Sequence, residues 1–105
     1  MKVYGLALFA LSAVPVFSAG NAKDGQVVYD RACKNCHGAS GEGNPNIAKM
    51  MKVEIPNLGS SGVQSMSDEE LSKIVTNGKG KMPPIRTVTG KSVDDVVAYV
   101  RTLKK

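Results

Sequence analysis

Both cysteines of the chain and its only histidine lie within the five residues Cys33-Lys34-Asn35-Cys36-His37. Four kinds of chemistry use such a set. A disulfide between Cys33 and Cys36 would close a very short loop, constrain little of the unfolded chain and leave His37 without a role. Thiol–disulfide exchange places Cys-x-x-Cys beside a strand–helix–strand unit, and the chain has no run of period two. Structural zinc takes four ligands, so a carboxylate would have to join these three side chains. Covalent haem attachment has Cys-x-x-Cys-His as its signature. Two residues three apart on a helical turn point the same way. Their thiols can add to the two vinyl groups along one side of a porphyrin, and the next residue brings an imidazole to the iron. This fourth reading uses all three side chains at their own spacing, and it is the favoured one; the other three stay open at this point.

A second iron ligand has to come from elsewhere, because His37 is the sole histidine. Haem sites also use methionine, cysteinate or tyrosinate, and both cysteines are already engaged. Beyond the N-terminal apolar segment the methionines are Met50, Met51, Met66 and Met82. Met82 stands in "KGKMPP", an irregular loop between two helical patterns, where Pro83 and Pro84 keep the backbone out of a helix. Met50 and Met51 follow His37 closely in a short helical stretch and read as flexible core filler. Met66 precedes a helix cap and reads as a staple residue. Met82 is therefore the expected ligand. Iron held by His37 and Met82 has no open position, which favours one-electron cycling over substrate chemistry. No nucleophile lies beside a free base, so no hydrolase site is expected and the protein does not read as an enzyme.

The elements that must position these groups are helical. "NAKDGQVVYDRAC" carries Val27, Val28, Tyr29 and Ala32 at helical spacing, with Asp24 as its start. "HGASGEGNPN" is a glycine-rich polar loop. A short helix is expected around Ile47–Met51, and Pro56 ends any regularity after it. In "SMSDEELSKIVTNG", Ser67 and Glu70 form a capping-box pattern, Leu71, Ile74 and Val75 form an apolar stripe, and Asn77-Gly78 stops the helix. The last segment, "SVDDVVAYVRTLKK", repeats the capping pattern with Ser92 and Asp95. Its apolar face is Val93, Val96, Val97, Val100 and Leu103. The fold class is all-α.

The chain has 105 residues, enough for a single domain. Its start has the layout of a secretory signal: Lys2, then an apolar run from Val3 to Phe17, then the small residues "SAGNA". The run is short of the roughly 20 residues of a membrane span. Cleavage after Ser18, Gly20 or Ala22 would each suit a small-residue site, so residues 1–22 are assigned to the leader and 23–105 to the domain. Export implies a periplasmic location; a retained leader would leave the protein anchored at the membrane. The net charge is +5, from scattered lysines without interleaved aromatics. That pattern excludes a nucleic-acid footprint and suits solubility or steering toward an acidic partner. Large rings are scarce, and the mature part keeps only Tyr29 and Tyr99. A domain this small commonly needs a staple, and one covalently held haem c would supply both staple and core.

Over the whole mature part, roughly 23–105, the chain resembles the small bacterial class I cytochromes c. "CKNCH" and "KMPP" stand in that family's order with a helix between them. "GQVVYDRAC" matches its first-helix pattern through Gly25, Tyr29 and Cys33, and Tyr99 matches the aromatic of its last helix. The resemblance implies three to four short helices wrapped around one covalently attached haem, with the N- and C-terminal helices crossing closely at Gly25. It implies that a proline carbonyl accepts the bond from His37 Nδ1; Pro45 is the residue assigned, with Pro56 as the competitor. Ile47, Leu58, Leu71, Ile74, Val75, Ile85 and Val88 are the candidate lining around the ring, and Arg86 reads as a solvated surface arginine, with a propionate contact as the alternative. A monomeric carrier meeting redox proteins through brief contacts follows, steered by Lys34, Lys79 and Lys81. Two rival classes are a membrane-anchored subunit of a respiratory complex and a five-coordinate haem sensor or enzyme.

Overall fold

The computed structural model describes residues 20–105. The leader assignment falls on residues 1–22, of which 1–19 lie outside the described residues.

Six helical segments follow one another: α1 Ala22–Ala32, α2 Lys34–His37, α3 Pro45–Met51, α4 Ser61–Gln64, α5 Asp68–Asn77 and α6 Lys91–Arg101. Two of them, α2 and α4, are single turns of four residues, so three to four substantial helices were to be expected and four are found. Among the described residues the only β pairing is an isolated bridge between Lys79 and Met82.

The caps explain where each helix begins. Helix α1 starts two residues before Asp24: Asn21 is its N-cap, and the Asn21 side chain accepts from the Asp24 N–H at 3.0 Å. Asp24 instead adds negative charge to the positive first turn. Helix α3 starts at Pro45 rather than Ile47, because Asn44 caps it by accepting from the Asn46 and Ile47 N–H groups and Pro45 takes the first helical position, where a missing N–H costs nothing. Helix α5 has the expected box in both directions, with Glu70 N–H to Ser67 Oγ at 3.0 Å and Ser67 N–H to Glu70 Oε1 at 2.8 Å. Gly78, at φ 80°, ends it. The second box is not made. Helix α6 begins at Lys91 behind Gly90, which puts Ser92 inside the helix, and no side chain caps it. Asp95 turns instead to Lys91 Nζ and to the Asn21 N–H, at 3.0 and 2.8 Å.

Helices α1 and α6 cross, and their contact is the core. Val28, Tyr29, Val93 and Val96 are buried together with Val88 from the loop before α6. Tyr29 and Tyr99 meet with ring centroids 5.1 Å apart at 52°, within the range of favourable tilted pairs. The crossing is close because Gly25 has no side chain: a Cβ there would lie 1.9 Å from the Asp95 carbonyl oxygen and 2.9 Å from Tyr99 Cβ. Val27 does not share this face; it is 65 % exposed. A second cluster of Val63, Leu71 and Val97 joins α4, α5 and α6. The two clusters leave a gap between them, walled by α1, α2, α5 and α6 and by the loops on either side of α5.

Candidate functional site

That gap is a cavity of about 610 Å³, and its lining includes Cys33, Cys36, His37 and Met82. The volume falls inside the ~300–1,000 Å³ of cofactor sites. Most of the remaining wall is aliphatic: Val53, Ile55, Leu58, Val63, Leu71, Ile74, Val75, Ile85, Val96, Val97 and Val100, with Met51 and Met66. Charged side chains in the lining are Glu54, Lys79 and Lys81.

The pentad is held by the turn it forms. Cys33 caps α1 with its N–H on the Tyr29 carbonyl at 2.8 Å, and α2 begins at the next residue. The His37 N–H then donates to the Cys33 carbonyl at 3.0 Å. The glycine-rich loop folds back over the pentad: Gly43 N–H bonds the His37 carbonyl at 2.7 Å, Asn44 N–H the Cys36 carbonyl at 2.9 Å, and Asn44 Nδ2 the Asn35 carbonyl at 3.0 Å. From the core side, the Tyr29 hydroxyl donates to the Gly38 carbonyl. Backbone groups around the attachment residues are thus paired on both sides.

Cys33 and Cys36 are not bridged to each other. Burial pushes the Cys33 thiol up to about 11, with Cys36 beside it adding to the shift, so the thiol keeps its proton at neutral pH. No three histidine, cysteine, aspartate or glutamate side chains converge among the described residues, so nothing there favours zinc. Burial also lowers the pKa of His37 and keeps its imidazole neutral, the form that binds a metal.

Met82 is placed by glycines as well as by its prolines. Lys79 and Met82 exchange two backbone hydrogen bonds of 2.9 Å around Gly80, whose φ is 58°. A Cβ on Gly78 would lie 2.6 Å from the Met82 carbonyl oxygen, so the chain can fold back only over a glycine. The Ile85 N–H fixes the far end of the loop to the Val75 carbonyl at 2.9 Å. Lys81 Nζ reaches the Met51 carbonyl at 3.1 Å and ties the loop to the end of α3.

The other expected residues take varied positions. Pro45 is exposed and does not line the cavity. Pro45 is the first residue of α3, directly after Asn44, whose carbonyl accepts the Ala48 N–H at 2.9 Å. His37 Nδ1 is buried and receives no partner, so no proline carbonyl accepts its proton in this structure; of the two candidates, Pro56 is the one in the cavity wall. Met50 is 71 % exposed and fills no core, whereas Met51 and Met66 line the cavity. Ile47 is not in the wall, and Val88 belongs to the α1–α6 core. Lys34 faces a separate shallow groove with Asp30, Asn35 and Asn44, while Lys79 and Lys81 are at the cavity. Arg86 is exposed and away from it, in keeping with a solvated surface arginine. The wall residues that pattern reading missed, Val53, Ile55 and Val63, lie in short irregular or single-turn stretches with no periodicity to mark them.

The donor set fits the cofactor that the pentad calls for: two thiols, a neutral imidazole and a thioether share one largely apolar cavity. Comparison with known proteins agrees. Residues 20–100 match the family described as "Cytochrome C oxidase, cbb3-type, subunit III". The chain is 31 % identical over 93 residues to cytochrome c6 of Rippkaea orientalis (strain PCC 8801 / RF-1), covering 88 % of this chain and 79 % of that one. Among solved structures it is similar to the KustC0563 c-type cytochrome, with a TM-score of 0.66 and 26 % identity, over 78 % of this chain and 99 % of the other. The chain belongs to the cytochrome c family just named, as a small all-α, monohaem member whose haem c is attached through Cys33 and Cys36.

Proposed function

We propose that the protein is a diffusible one-electron carrier of the periplasm, with His37 and Met82 as the two axial ligands of its iron. The observation that carries this reading is the single cavity whose wall includes Cys33, Cys36, His37 and Met82. When bound, the haem supplies a one-electron ferric–ferrous couple. Everything else is done by the chain. Cys33 and Cys36 would hold the haem through two thioethers, and the backbone around them is paired by hydrogen bonds. The Met82 thioether favours the ferrous state and raises the potential. The aliphatic walls act in the same direction, because they disfavour the extra positive charge of the ferric form. Iron held by both His37 and Met82 would leave no position for a substrate, which supports a carrier over an enzyme. Lys79 and Lys81 put positive charge at the cavity and suit brief, steered contacts with an acidic redox protein.

Export is part of the proposal, since haem attachment and the apolar, small-residue leader belong to the same compartment. Among the described residues no helix is long and apolar enough to cross a membrane. The family description names an oxidase subunit, which favours a second reading, a cytochrome held at a respiratory complex.

Absorption spectra of protein made with a periplasmic haem-attachment system test the proposal. They would be recorded oxidised, reduced, and reduced under carbon monoxide, for wild type and Met82→Ala. Wild type is expected to ignore carbon monoxide and the variant to bind it. Carbon monoxide binding by wild type would remove Met82 as ligand and leave a five-coordinate sensor or enzyme. Recovery in the membrane fraction, or in complex with an oxidase, would favour the second reading.

A further inference from the structure

The residues joining leader and domain are built into the fold, and they discriminate among the three cleavage positions that the sequence leaves equal. The Asn21 N–H donates to Asp95 Oδ1 at 2.8 Å, across 74 residues of chain. The Asn21 side chain caps Asp24 at 3.0 Å, and its carbonyl accepts the Gly25 N–H at 2.8 Å. Asp95 is only 5 % exposed. Its carboxylate is also held by Lys91 Nζ, 3.0 Å from each oxygen, and Lys91 leans toward Asp24 at 3.8 Å. A cut after Ala22 would remove all three Asn21 bonds, uncap α1 and leave Asp95 with Lys91 alone. A cut after Ser18 has Val16 three residues from the new end, which is not a small residue. A cut after Gly20 has small residues at both recognition positions, Ser18 and Gly20, and keeps every Asn21 contact.

We infer that the leader is removed between Gly20 and Asn21, and that the new α-amino group of Asn21 forms an ion pair with the Asp95 carboxylate. This rests on the export reading above. Hydrolysis by an export peptidase adds one water across the peptide bond. A carboxylate stays on Gly20 of the leader, and an amine is freed on Asn21. That amine takes a proton, since free α-amino groups titrate at about 7.7–8.0. The bond from a neutral N–H to a nearly buried carboxylate then becomes one between two opposite charges. Cleavage therefore strengthens a contact that ties α1 to α6, the crossing that carries the core. Gly20 has a role before the cut: a Cβ there would lie 2.1 Å from the Asp94 carbonyl oxygen, so a folded chain that retains Gly20 passes the first turn of α6 only because that residue is glycine.

The test is intact mass and N-terminal sequencing of the holoprotein exported from its full precursor. A chain beginning at Asn21 is expected. One beginning at Ala19 or Lys23 overturns the inference and leaves export standing. A mass that retains the leader overturns the export reading, and this inference with it. The ion pair has its own readout. Asp95→Asn should lower Tm by a few degrees more in protein beginning at Asn21 than in protein that keeps Ala19 and Gly20. Equal losses in the two forms would show that no new charge pair exists.

Discussion

At the residue scale, one side chain links the core to the attachment turn. Tyr29 is fully buried, and its hydroxyl donates to the carbonyl of Gly38, directly after the histidine. Burial is the main reason its phenol is pushed well above the usual tyrosine range, so it stays a donor at any working pH. Tyr29→Phe keeps the ring pair with Tyr99 and leaves the Gly38 carbonyl without this partner. The expected cost is about 1–3 kcal/mol, read as a fall in denaturant midpoint with unchanged slope. The loop after His37 should also loosen, which faster amide exchange at Gly43 and Asn44 would report. Asp95 gives a second prediction. The Asn21 N–H and then Lys91 hold its carboxyl below the usual aspartate range. A carboxyl depressed in the folded state stabilises above its unfolded pKa and loses that contribution as pH falls through the folded value. Asp95→Asn should therefore lower Tm at pH 7 and narrow the gap to wild type below about pH 3.8. A gap that stays constant down to pH 2 would show that its charge contributes nothing.

At the scale of elements, the crossing of α1 and α6 is the joint on which the site depends, because α1 runs directly into Cys33. Gly25→Ala would force a methyl group against the Asp95 backbone, where an ideal Cβ meets a carbonyl oxygen at 1.9 Å. The neighbour is backbone and cannot swing aside. A loss of about 3 kcal/mol is expected, equivalent to a fall in Tm of more than ~10 °C for a domain of this size. A stable, cooperative Gly25→Ala protein would mean that the helices tolerate a wider crossing. The sequence showed this joint through Gly25, Tyr29 and Tyr99, and it showed the α5 cap through Ser67 and Glu70. It did not show how α6 begins. Ser92 and Asp95 have capping spacing, yet Asp95 lies where α1 passes and is taken by Asn21, a competition that no local pattern records.

At the scale of the whole molecule, the cavity makes stability depend on what fills it. Left empty, about 610 Å³ of cavity at ~24 cal/mol per Å³ has an upper-bound cost near 15 kcal/mol. That equals or exceeds the entire ~5–15 kcal/mol stability of a typical domain. The paired variant Cys33→Ser, Cys36→Ser, which cannot form the thioethers, should lose most of its helical circular dichroism and its cooperative unfolding. Retention of native-like cooperativity would show that the two helix clusters are self-sufficient. The charge of +5 belongs to this scale too. Reversing Lys79 and Lys81 to glutamate should slow association with an acidic partner by at least tenfold at low salt, with the difference shrinking as ionic strength rises.

The chemistry was legible from the sequence because it is local. Cys33, Cys36 and His37 sit on one turn whose geometry follows from their spacing, and the helical stripes of α5 and α6 follow from side-chain period alone. The position of Met82 outside any helix was also legible, from the prolines that follow it. What needed the tertiary structure was everything set by one segment meeting another. The exposure of Pro45 and Met50 depends on where α3 starts and what it packs against, and a cap at Asn44 settles both. The turn at Gly78 and Gly80 that presents Met82 depends on backbone folding back on backbone. The pairing of Asn21 with Asp95 joins residues 74 apart. Local spacing determines which groups can react, but only packing between distant segments decides which of them share one cavity.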